Sequence, residues 1–384
     1  MSLHTELAAD LAAREEQGLL RSRRLLASPQ RARVHVDGRD YIAFCSNDYL
    51  GLAADPRLAV AAKAGIDRYG VGAGASHLIL GHSTAHHQLE AALAAFVRQP
   101  RALLFSTGYM ANMGVVSALV GRGDAVFGDR LNHASLNDAA LVSRATFKRY
   151  AHGDLVALER LLQVTPARRR LVITDAVFSM DGDIAPVPAL LELCERHDAY
   201  LLIDDAHGFG VLGAQGRGTL THFGITSERV IYMATLGKAA GVAGAFVTGN
   251  ATLIDTLIQH ARAYIYTTAT PPLLAHALLA SLQLMEQEDW RRVRLQELML
   301  QLKQGLAGSA WRLLSSETPI QPLLVGGNAE ALALSERLAA QGLLVPAIRP
   351  PTVPKGTARL RISLSADHEA ADVAQLITAL RHSA

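Results

Sequence analysis

The sequence predicts an α/β fold built on a mainly parallel, seven-stranded sheet with helices on both faces. Between about residues 55 and 280, segments long enough for helices alternate with seven short apolar runs: RALLFST, DAVFGD, TFKRYA, RRLVITDAVF, AYLLIDDAH, RVIYMAT and GAFVTG. Such runs are typical of parallel strands that are buried on both faces. Asp175 and Asp204 each close one run, and Gly108 follows another. Because ligands of such sheets bind at the carboxyl ends of the strands, these three residues mark a predicted ligand site.

The composition is that of an ordinary globular protein. With 384 residues, 50% hydrophobic and 19% charged, the chain is long enough for two unequal lobes. Its 37 basic and 35 acidic residues are mostly interspersed, which argues against a nucleic-acid-binding or membrane-binding surface. Two clusters stand apart, Arg21 with Arg23 and Arg24, and the run Arg168–Arg170. Either is a solvated surface, or it meets an anionic substrate or an acidic carrier protein.

Membrane insertion, secretion and disulfide bonds are not expected. No apolar run approaches the roughly 18 residues of a membrane-spanning helix. The first sixteen residues carry acids and lack the apolar core of a signal peptide. Cys45 and Cys194 offer neither a disulfide framework nor metal-ligand spacing, so no metal site is expected. We therefore expect a protein of the reducing cytoplasm.

The order of elements predicts an arm and two domains. Residues 5–26 have a helical pattern and RVHVDGRDYIAF predicts a hairpin, so residues 1–45 form the predicted N-terminal arm. Residues 46–284 form the large domain. A helical pattern over 271–306, with possible breaks, leads into a smaller α+β domain, residues 285–384. Its predicted strands are QPLLVGG, GLLVPAIRP and TARLRISL, and its amphipathic helices are AEALALSERLAAQ and HEAADVAQLITALRH.

Two glycine-rich segments have different predicted roles. GVGAGASHLILG, residues 70–81, follows a charged, helix-like stretch rather than a strand, so nicotinamide binding is not expected. STGYMAN, residues 106–112, directly follows a strand and predicts a helix start whose free N–H groups can hold a phosphate. Ser106 or Thr107 would cap that helix in either case.

A lysine and an aspartate at neighbouring strand ends indicate pyridoxal 5′-phosphate (PLP). Lys238 follows the run RVIYMAT, one strand after Asp204. A lysine in this position can form a Schiff base with the cofactor's aldehyde, and a buried carboxylate can keep its pyridine nitrogen protonated. A lone lysine is usually solvated, so the prediction depends on the two residues occurring together.

Eight motifs, in order along nearly the whole chain, resemble those of the α-oxoamine synthase family of fold-type I PLP enzymes. They are FCSNDYLGL (44–52), ASHLILGHSTAHHQLE (75–90), STGYMAN (106–112), LNHASLNDA (131–139), TDAVFSMDGD (174–183), DDAHGFGVLG (204–213), TLGK (235–238) and IRPPTVPKGTARLRISLS (348–365). The IRPPTVP segment is most similar to the 8-amino-7-oxononanoate synthase branch, whereas the other motifs are shared across the family. The resemblance implies a PLP-dependent, decarboxylating C-acyltransferase.

The resemblance implies a role for each cofactor-binding residue. Lys238 would form the Schiff base and later move the substrate Cα proton, and Asp204 would pair with the pyridinium nitrogen. His133 would stack on the cofactor ring, and His207, helped by Ser179, would hydrogen-bond its phenolic oxygen. The implied phosphate contacts are the N–H groups of Gly108 and Tyr109, the Thr235 hydroxyl and, from a partner subunit, Thr267 and Thr268. A homodimer with shared active sites is therefore implied.

Substrate-binding residues are implied in the same way. Arg361 would bind the amino-acid carboxylate, but Arg359 faces the same side of a strand, so spacing alone does not choose between them. The implied acyl-chain residues are Arg21, with Arg23 and Arg24 as alternatives, and Thr352.

Two positions depart from the family pattern. Asp175 stands where close relatives can carry glutamate. His77 stands where the wider family often has arginine, so we give it no catalytic role. Ser76 lies where the resemblance places the amino-acid side chain, and a small residue there leaves room for the methyl group of alanine.

The implied reaction condenses L-alanine with a pimeloyl thioester, carried by coenzyme A or acyl carrier protein. Its products would be 8-amino-7-oxononanoate, carbon dioxide and the free thiol carrier, in biotin biosynthesis. The alternatives are glycine C-acetyltransferase, 5-aminolevulinate synthase, serine palmitoyltransferase, a fold-type I aminotransferase, and a non-catalytic subunit with the cofactor fold. The joint presence of Lys238, Asp204, His133 and His207 argues against the last of these.

Overall fold

The computed structural model describes residues 2–383, of which the first form an arm of one helix and one hairpin. Helix α1 spans Leu3–Glu16, and the Ser2 side chain caps it. The helix predicted over residues 5–26 is therefore wrong beyond Glu16. No residue of α1 is buried, so packing against the rest of the protein does not stabilise a longer helix. Gly18 takes a left-handed φ of 64°, which is common just after the end of a helix. The predicted hairpin is confirmed as β1 (Arg33–Val36) paired with β2 (Arg39–Ala43).

A seven-stranded sheet forms the centre of the molecule. It is preceded by α2 (Pro56–Tyr69) and α3 (Thr84–Phe96), with a π-helical turn at His77–Gly81 between them. The strands are β3 (Arg101–Phe105), β4 (Ala125–Asp129), β5 (Thr146–Tyr150), β6 (Arg170–Asp175), β7 (Ala199–Asp204), β8 (Val230–Thr235) and β9 (Ala245–Gly249). Their spatial order is β3-β9-β8-β7-β6-β4-β5, and only β9 runs antiparallel to its neighbours. The predicted mainly parallel sheet is confirmed.

Helices cover both faces of this sheet, as predicted. Those that follow β3 are α4 (Gly108–Leu119), α5 (Ala134–Val142), α6 (Leu155–Val164), α7 (Val187–Arg196), α8 (Thr219–Phe223), α9 (Ala251–His260) and α10 (Arg262–Ile265). Leu171 and Ile173 of β6 lie in the core with α4, α5 and α9, whereas Val172 lies in the opposite core with α3 and α7. Burial on both faces explains why these strands are continuous apolar runs.

The C-terminal part adds a smaller antiparallel sheet. The helical pattern over 271–306 divides into α11 (Pro272–Gln287) and α12 (Trp290–Leu306). The elements that follow are β10 (Arg312–Leu313), β11 (Ile320–Gly326), α13 (Asn328–Ala340), β12 (Leu343–Leu344), β13 (Ala347–Ile348), β14 (Ala358–Ser363) and α14 (Ala370–Arg381). The sheet order is β10-β11-β14-β13. The single strand predicted for GLLVPAIRP is wrong, because Pro346 has no N–H to donate and the segment forms two strands of two residues each.

Strand β12 belongs to the arm rather than to the smaller sheet. Leu343 and Leu344 pair in parallel with β2, so the arm and the C-terminal segment share a three-stranded sheet. The domain boundaries predicted at 45/46 and 284/285 stay predictions, and the terminal residues 1 and 384 lie outside the described range. Within residues 2–383, every helix is too short or too polar to span a bilayer.

Candidate active site

The predicted site lies at the carboxyl ends of β6, β7 and β8. Asp175 ends β6, Asp204 ends β7, and the two are direct neighbours across the parallel pair. Strand β8 ends at Thr235, three residues before Lys238. A Cβ placed on Gly108, the first residue of α4, would lie 3.9 Å from the Thr235 Cβ, so the helix start is close to the same strand end.

Asp204 is held by a hydrogen-bond network from two helices. Asn112 of α4 donates from Nδ2 to Asp204 Oδ2 at 2.8 Å and to Ser135 Oγ at 2.9 Å. Ser135 Oγ in turn lies 2.7 Å from Nδ1 of His133, the residue that caps α5. The Ala206 N–H donates to the other oxygen of Asp204 at 3.0 Å. These contacts fix the orientation of a buried carboxylate at the end of β7.

Asp175 is buried beside Asp204, at the end of the neighbouring strand. Its Oδ2 accepts the His133 backbone N–H at 2.6 Å. Burial raises the pKa of Asp175 well above its usual value, and the adjacent Asp204 carboxylate raises it further. Two ionised carboxylates side by side repel, so this position favours the protonated form of Asp175.

Lys238 ends a second chain of contacts. Its Nζ lies 3.0 Å from His207 Nε2, and His207 Nδ1 lies 2.6 Å from the Tyr49 hydroxyl. Burial lowers the pKa of Lys238 to about 8, although nearby carboxylates oppose the shift. Burial also lowers the pKa of His207 well below its usual value, and the charge of Lys238 adds to the effect. His207 is therefore neutral at physiological pH, and Lys238 can give and take a proton near pH 8.

The structure distinguishes the two arginines that spacing left open. Both lie on β14 and both are buried. Arg359 is paired with the Asp181 carboxylate, whereas Arg361 has no carboxylate partner in residues 2–383. The contacts of Arg361 are with the Ser179 carbonyl at 2.5 Å, Ser363 Oγ at 2.8 Å, Asn47 Oδ1 at 3.2 Å and the Tyr49 hydroxyl at 3.4 Å. Arg361 is thus a buried guanidinium without a counter-ion, and it contacts Tyr49, which ends the chain of contacts that begins at Lys238. Such a guanidinium is suited to binding a substrate carboxylate.

The start of α4 has the donors that a phosphate requires. The Thr107 side chain caps the helix. The N–H groups of Gly108 and Tyr109 have no protein acceptor within residues 2–383. The Thr235 hydroxyl lies at the same strand end but donates to the Gly244 carbonyl at 3.0 Å, so it would have to rotate to donate to a phosphate. Free N–H groups at the positive end of a helix bind anions without further help.

A cleft of about 690 Å³ opens beside His133 and contains the predicted acyl-chain residues. Four of the predicted site residues line this cleft: His133, Ser179, Arg21 and Thr352. Arg23 and Arg24, the alternatives to Arg21, are not part of the lining. Arg130 and Arg149 line the cleft but were not predicted. The three arginines make this entrance positive.

Thr267 and Thr268, predicted to act in a partner's site, contact a different part of the chain. Thr268 pairs with Ser76 in an isolated bridge. No hydrogen bond joins either threonine to Lys238 or Gly108 among the residues described. Their role in a shared site stays a prediction, as does the placement of Ser76 beside the substrate methyl group.

Besides the two unpredicted arginines of the cleft, four residues of the site's hydrogen-bond network were given no role in the sequence prediction: Asn47, Tyr49, Asn112 and Ser135. All four lie inside family motifs, and this was the only signal that could have found them. Their contacts reach residues far away in the sequence, such as Tyr49 with His207 and Asn112 with Asp204.

These residues fit PLP. The site provides an amine with a lowered pKa, a fixed carboxylate one strand away and a helix start with two free N–H groups. These are the partners required by an aldehyde, a pyridine nitrogen and a phosphate.

Comparison with known proteins gives the family. Residues 39–380 match the model of the aminotransferase class I and II family. The 8-amino-7-oxononanoate synthase of Nitrosospira multiformis is 66% identical over 371 residues, which cover 97% of this chain and 94% of that protein. The chain belongs to the 8-amino-7-oxononanoate synthases. It is accordingly a PLP-dependent C-acyltransferase of fold type I.

Solved structures agree on the fold. A serine palmitoyltransferase from Sphingomonas wittichii matches with a TM-score of 0.94 and 30% identity, covering 100% of this chain and 98% of that one. An 8-amino-7-oxononanoate synthase from Francisella tularensis matches with a TM-score of 0.78 and 32% identity, covering 89% and 97%. The shared fold therefore does not choose between the two activities, and the 66% identity does.

Proposed function

We propose that this chain condenses L-alanine with a pimeloyl thioester, releasing 8-amino-7-oxononanoate, carbon dioxide and the free thiol carrier in biotin biosynthesis. The 66% identity to an 8-amino-7-oxononanoate synthase carries the choice of substrates. The proximity of Lys238, Asp204 and Arg361, which has no carboxylate partner within residues 2–383, supports PLP chemistry on an amino acid. Bound PLP would supply an electron sink for negative charge at the substrate Cα.

The residues of the chain divide the remaining work between binding and proton transfer. Arg361 would bind the alanine carboxylate through two parallel hydrogen bonds and so fix the direction of the Cα–H bond. Lys238 Nζ would take and return the Cα proton, because its pKa of about 8 lets both protonation states exist near neutral pH. His207 holds that amine through a neutral ring nitrogen at 3.0 Å.

Asp204, His133 and the start of α4 would hold the cofactor. Asp204 presents a fixed carboxylate to the pyridine nitrogen, and the raised pKa of Asp175 disfavours a second negative charge beside it. His133 lies at the head of α5 with its ring tied to Ser135, at the wall of the cleft.

The cleft beside His133 would take the acyl chain. Arg21 is placed to meet the distal carboxylate of a pimeloyl group, and Thr352 lines the same space. Coenzyme A and acyl carrier protein both carry the thioester on an anionic phosphopantetheine arm, which suits the positive entrance. Comparing the two thioesters at equal concentration identifies the carrier.

We further propose a homodimer with shared sites, acting in the cytoplasm. The π-helical turn exposes Leu78, Ile79 and Leu80 by 48%, 79% and 85%, close to the Ser76–Thr268 bridge. A second copy of the chain would cover this apolar surface. Both cysteines are free thiols, which fits a reducing compartment.

Mixing two inactive variants tests the shared site. Lys238→Ala and the double variant Thr267→Ala/Thr268→Ala would be unfolded, mixed and refolded together. In a shared-site dimer, half of the molecules are mixed and each has one intact site, so about a quarter of the wild-type activity returns. Sites built from one chain would return no activity.

The decisive experiment follows absorbance, carbon dioxide and thiol together. The PLP-loaded protein is titrated with L-alanine, glycine and L-serine, and is then given pimeloyl, acetyl or palmitoyl thioester. We expect L-alanine to change the cofactor band and only pimeloyl thioester to release thiol and carbon dioxide. Preference for serine with palmitoyl thioester would support a serine palmitoyltransferase, and conversion of alanine to pyruvate an aminotransferase. Lys238→Ala is the control and should release neither product.

A further inference from the structure

Three histidines from the π-helical turn, the link after it and the first turn of α3 form a cluster outside the site described above. One ring nitrogen each of His77, His82 and His86 lies within 4.8 Å of the other two. His77 and His82 face each other through their Nδ1 atoms at 3.1 Å. Two nitrogen ligands of a tetrahedral zinc ion, each about 2.05 Å from the metal, lie about 3.3 Å apart. This pair is therefore already spaced as two ligands of one ion.

The outer nitrogens of two of these rings face oxygen acceptors. His86 Nε2 lies 2.8 Å from the Thr270 carbonyl, so Nε2 carries the proton and Nδ1 keeps its lone pair. His82 Nε2 lies 3.8 Å from the Glu90 carboxylate, which is beyond hydrogen-bond length, so only His86 has such an acceptor at hydrogen-bond distance. A carbonyl or carboxylate behind the far nitrogen is the usual arrangement of a metal-ligating histidine, since it fixes the tautomer and raises the basicity of the ligand atom.

The cluster is also largely shielded from water. His77 and His86 are buried, and His82 is partly exposed.

We propose that His77, His82 and His86 bind a structural zinc ion. Imidazole ligands suit zinc, and water would complete the tetrahedron. A second group, His82 with His87 and Glu90, is also close enough. However, His87 is exposed and Glu90 already accepts a backbone N–H of β3 at 3.0 Å, so the first group is preferred.

Two contacts compete with the metal. The first is the hydrogen bond between the Nδ1 atoms of His77 and His82, which the ion would replace. The second is made by His86. His86 Nδ1 accepts the Ser83 N–H at 3.1 Å and lies 3.0 Å from Ser83 Oγ. Ser83 is partly exposed, so water can replace the ring as acceptor when zinc binds. The ion would then join the exposed π-helical turn to α3 and, through Thr270, to the segment after α10. Cysteine spacing alone, the basis of the sequence prediction of no metal site, could not find it.

Zinc binding is measured on the tag-free, PLP-loaded protein after chelation and dialysis against Zn²⁺. We expect one zinc ion per chain, counted by elemental analysis, with an affinity obtained from competition with a chelator. His82→Phe and His77→Phe keep an aromatic ring, and the second keeps the stacking on Tyr264. Each should weaken zinc binding at least about 100-fold, because a ligand is lost outright. His260→Phe, at the exposed end of α9, is the control and should bind as tightly as the wild type.

X-ray absorption at the zinc edge of the wild-type protein gives a result that does not depend on the variants folding. Three imidazole nitrogens at about 2.0–2.1 Å are expected. A shell of oxygens only, such as the cofactor phosphate would give, overturns the proposal. So does the absence of stoichiometric zinc, full binding by His82→Phe, or an equal loss in His260→Phe.

Discussion

Replacing Arg361 with lysine tests which residue binds the substrate carboxylate. Lysine keeps the positive charge but cannot make two parallel hydrogen bonds. In the wild type the guanidinium contacts Ser179, Ser363, Asn47 and Tyr49, and the two contacts from Nη2 are long, at 3.2 and 3.4 Å. A guanidinium has five N–H donors, and four of them make these contacts, so one donor on Nη1 is free. The donors on Nη2 are only weakly used. Two donors are thus available to a carboxylate.

The expected loss follows from these two bonds. A hydrogen bond to a charged group is worth about 1.5–3 kcal/mol, and the lysine variant loses one of the pair. At about 1.4 kcal/mol per tenfold, kcat/KM for L-alanine should fall roughly 10- to 150-fold. Arg359→Lys is the matched control, because Arg359 already has Asp181 as its partner. Its kcat/KM should stay within about threefold of the wild type.

The assay is thiol release at saturating pimeloyl thioester with L-alanine varied, supported by the cofactor absorbance on L-alanine binding. Melting temperatures of both variants separate a binding defect from general damage. If kcat/KM of Arg361→Lys stays within threefold of the wild type, or if Arg359→Lys loses as much, Arg361 is not the residue that binds the substrate carboxylate.

Three further predictions follow from the contacts and pKa shifts. Asn112→Leu removes a hydrogen bond to Asp204 worth about 1.5–3 kcal/mol, so titration of the apo protein should show PLP affinity reduced roughly 10- to 150-fold. An unchanged affinity would contradict the role of this contact. Burial lowers the pKa of Lys238 to about 8, so the rate at which the apo protein captures PLP should rise with pH, with a midpoint near pH 8. Stopped-flow absorbance measures this rate, and a midpoint above pH 10 would be inconsistent with a buried amine. Hydrogen bonds to Asp129 and Asp183 raise the pKa of His152 to about 10 from 6.5, so its stabilising effect is complete below pH 6.5 and is lost as the pH rises through about 10. In urea unfolding, the free energy of unfolding of the wild type should therefore exceed that of His152→Gln by less at pH 10 than at pH 7. A difference that does not change with pH would exclude an ionic role of His152.

The strand ends of the site could be predicted from sequence, whereas the choice between two neighbours on one strand could not. Asp204 and Lys238 both follow apolar runs, and the carboxyl ends of parallel strands converge in space. Arg359 and Arg361 share a face because side chains alternate along a strand. The two arginines differ because Arg359 is paired with Asp181, a residue of a loop that is distant in sequence. The local sequence pattern contains no information about that contact.

Contacts between remote segments account for the other differences. Tyr49 reaches His207 across 158 residues of sequence, so only its place in a motif signals importance. The apolar pattern of α1 continues past Glu16, but no core exists there for it to join.

The parallel pairing of β2 with β12 sets an order of events during translation. Ile42 pairs with Leu343, so about 300 residues must be synthesised before the free edge of the hairpin is covered, roughly 15–60 s of elongation. Ala32 and Arg33 bind Asp367 and Asp372, which leave the ribosome later still. Throughout that interval the nascent chain presents an unpaired strand edge, on which another nascent chain can dock. The arm is thus synthesised first but can pair with β12 only near the end of translation, and every pause of the ribosome lengthens the time during which its edge is unpaired.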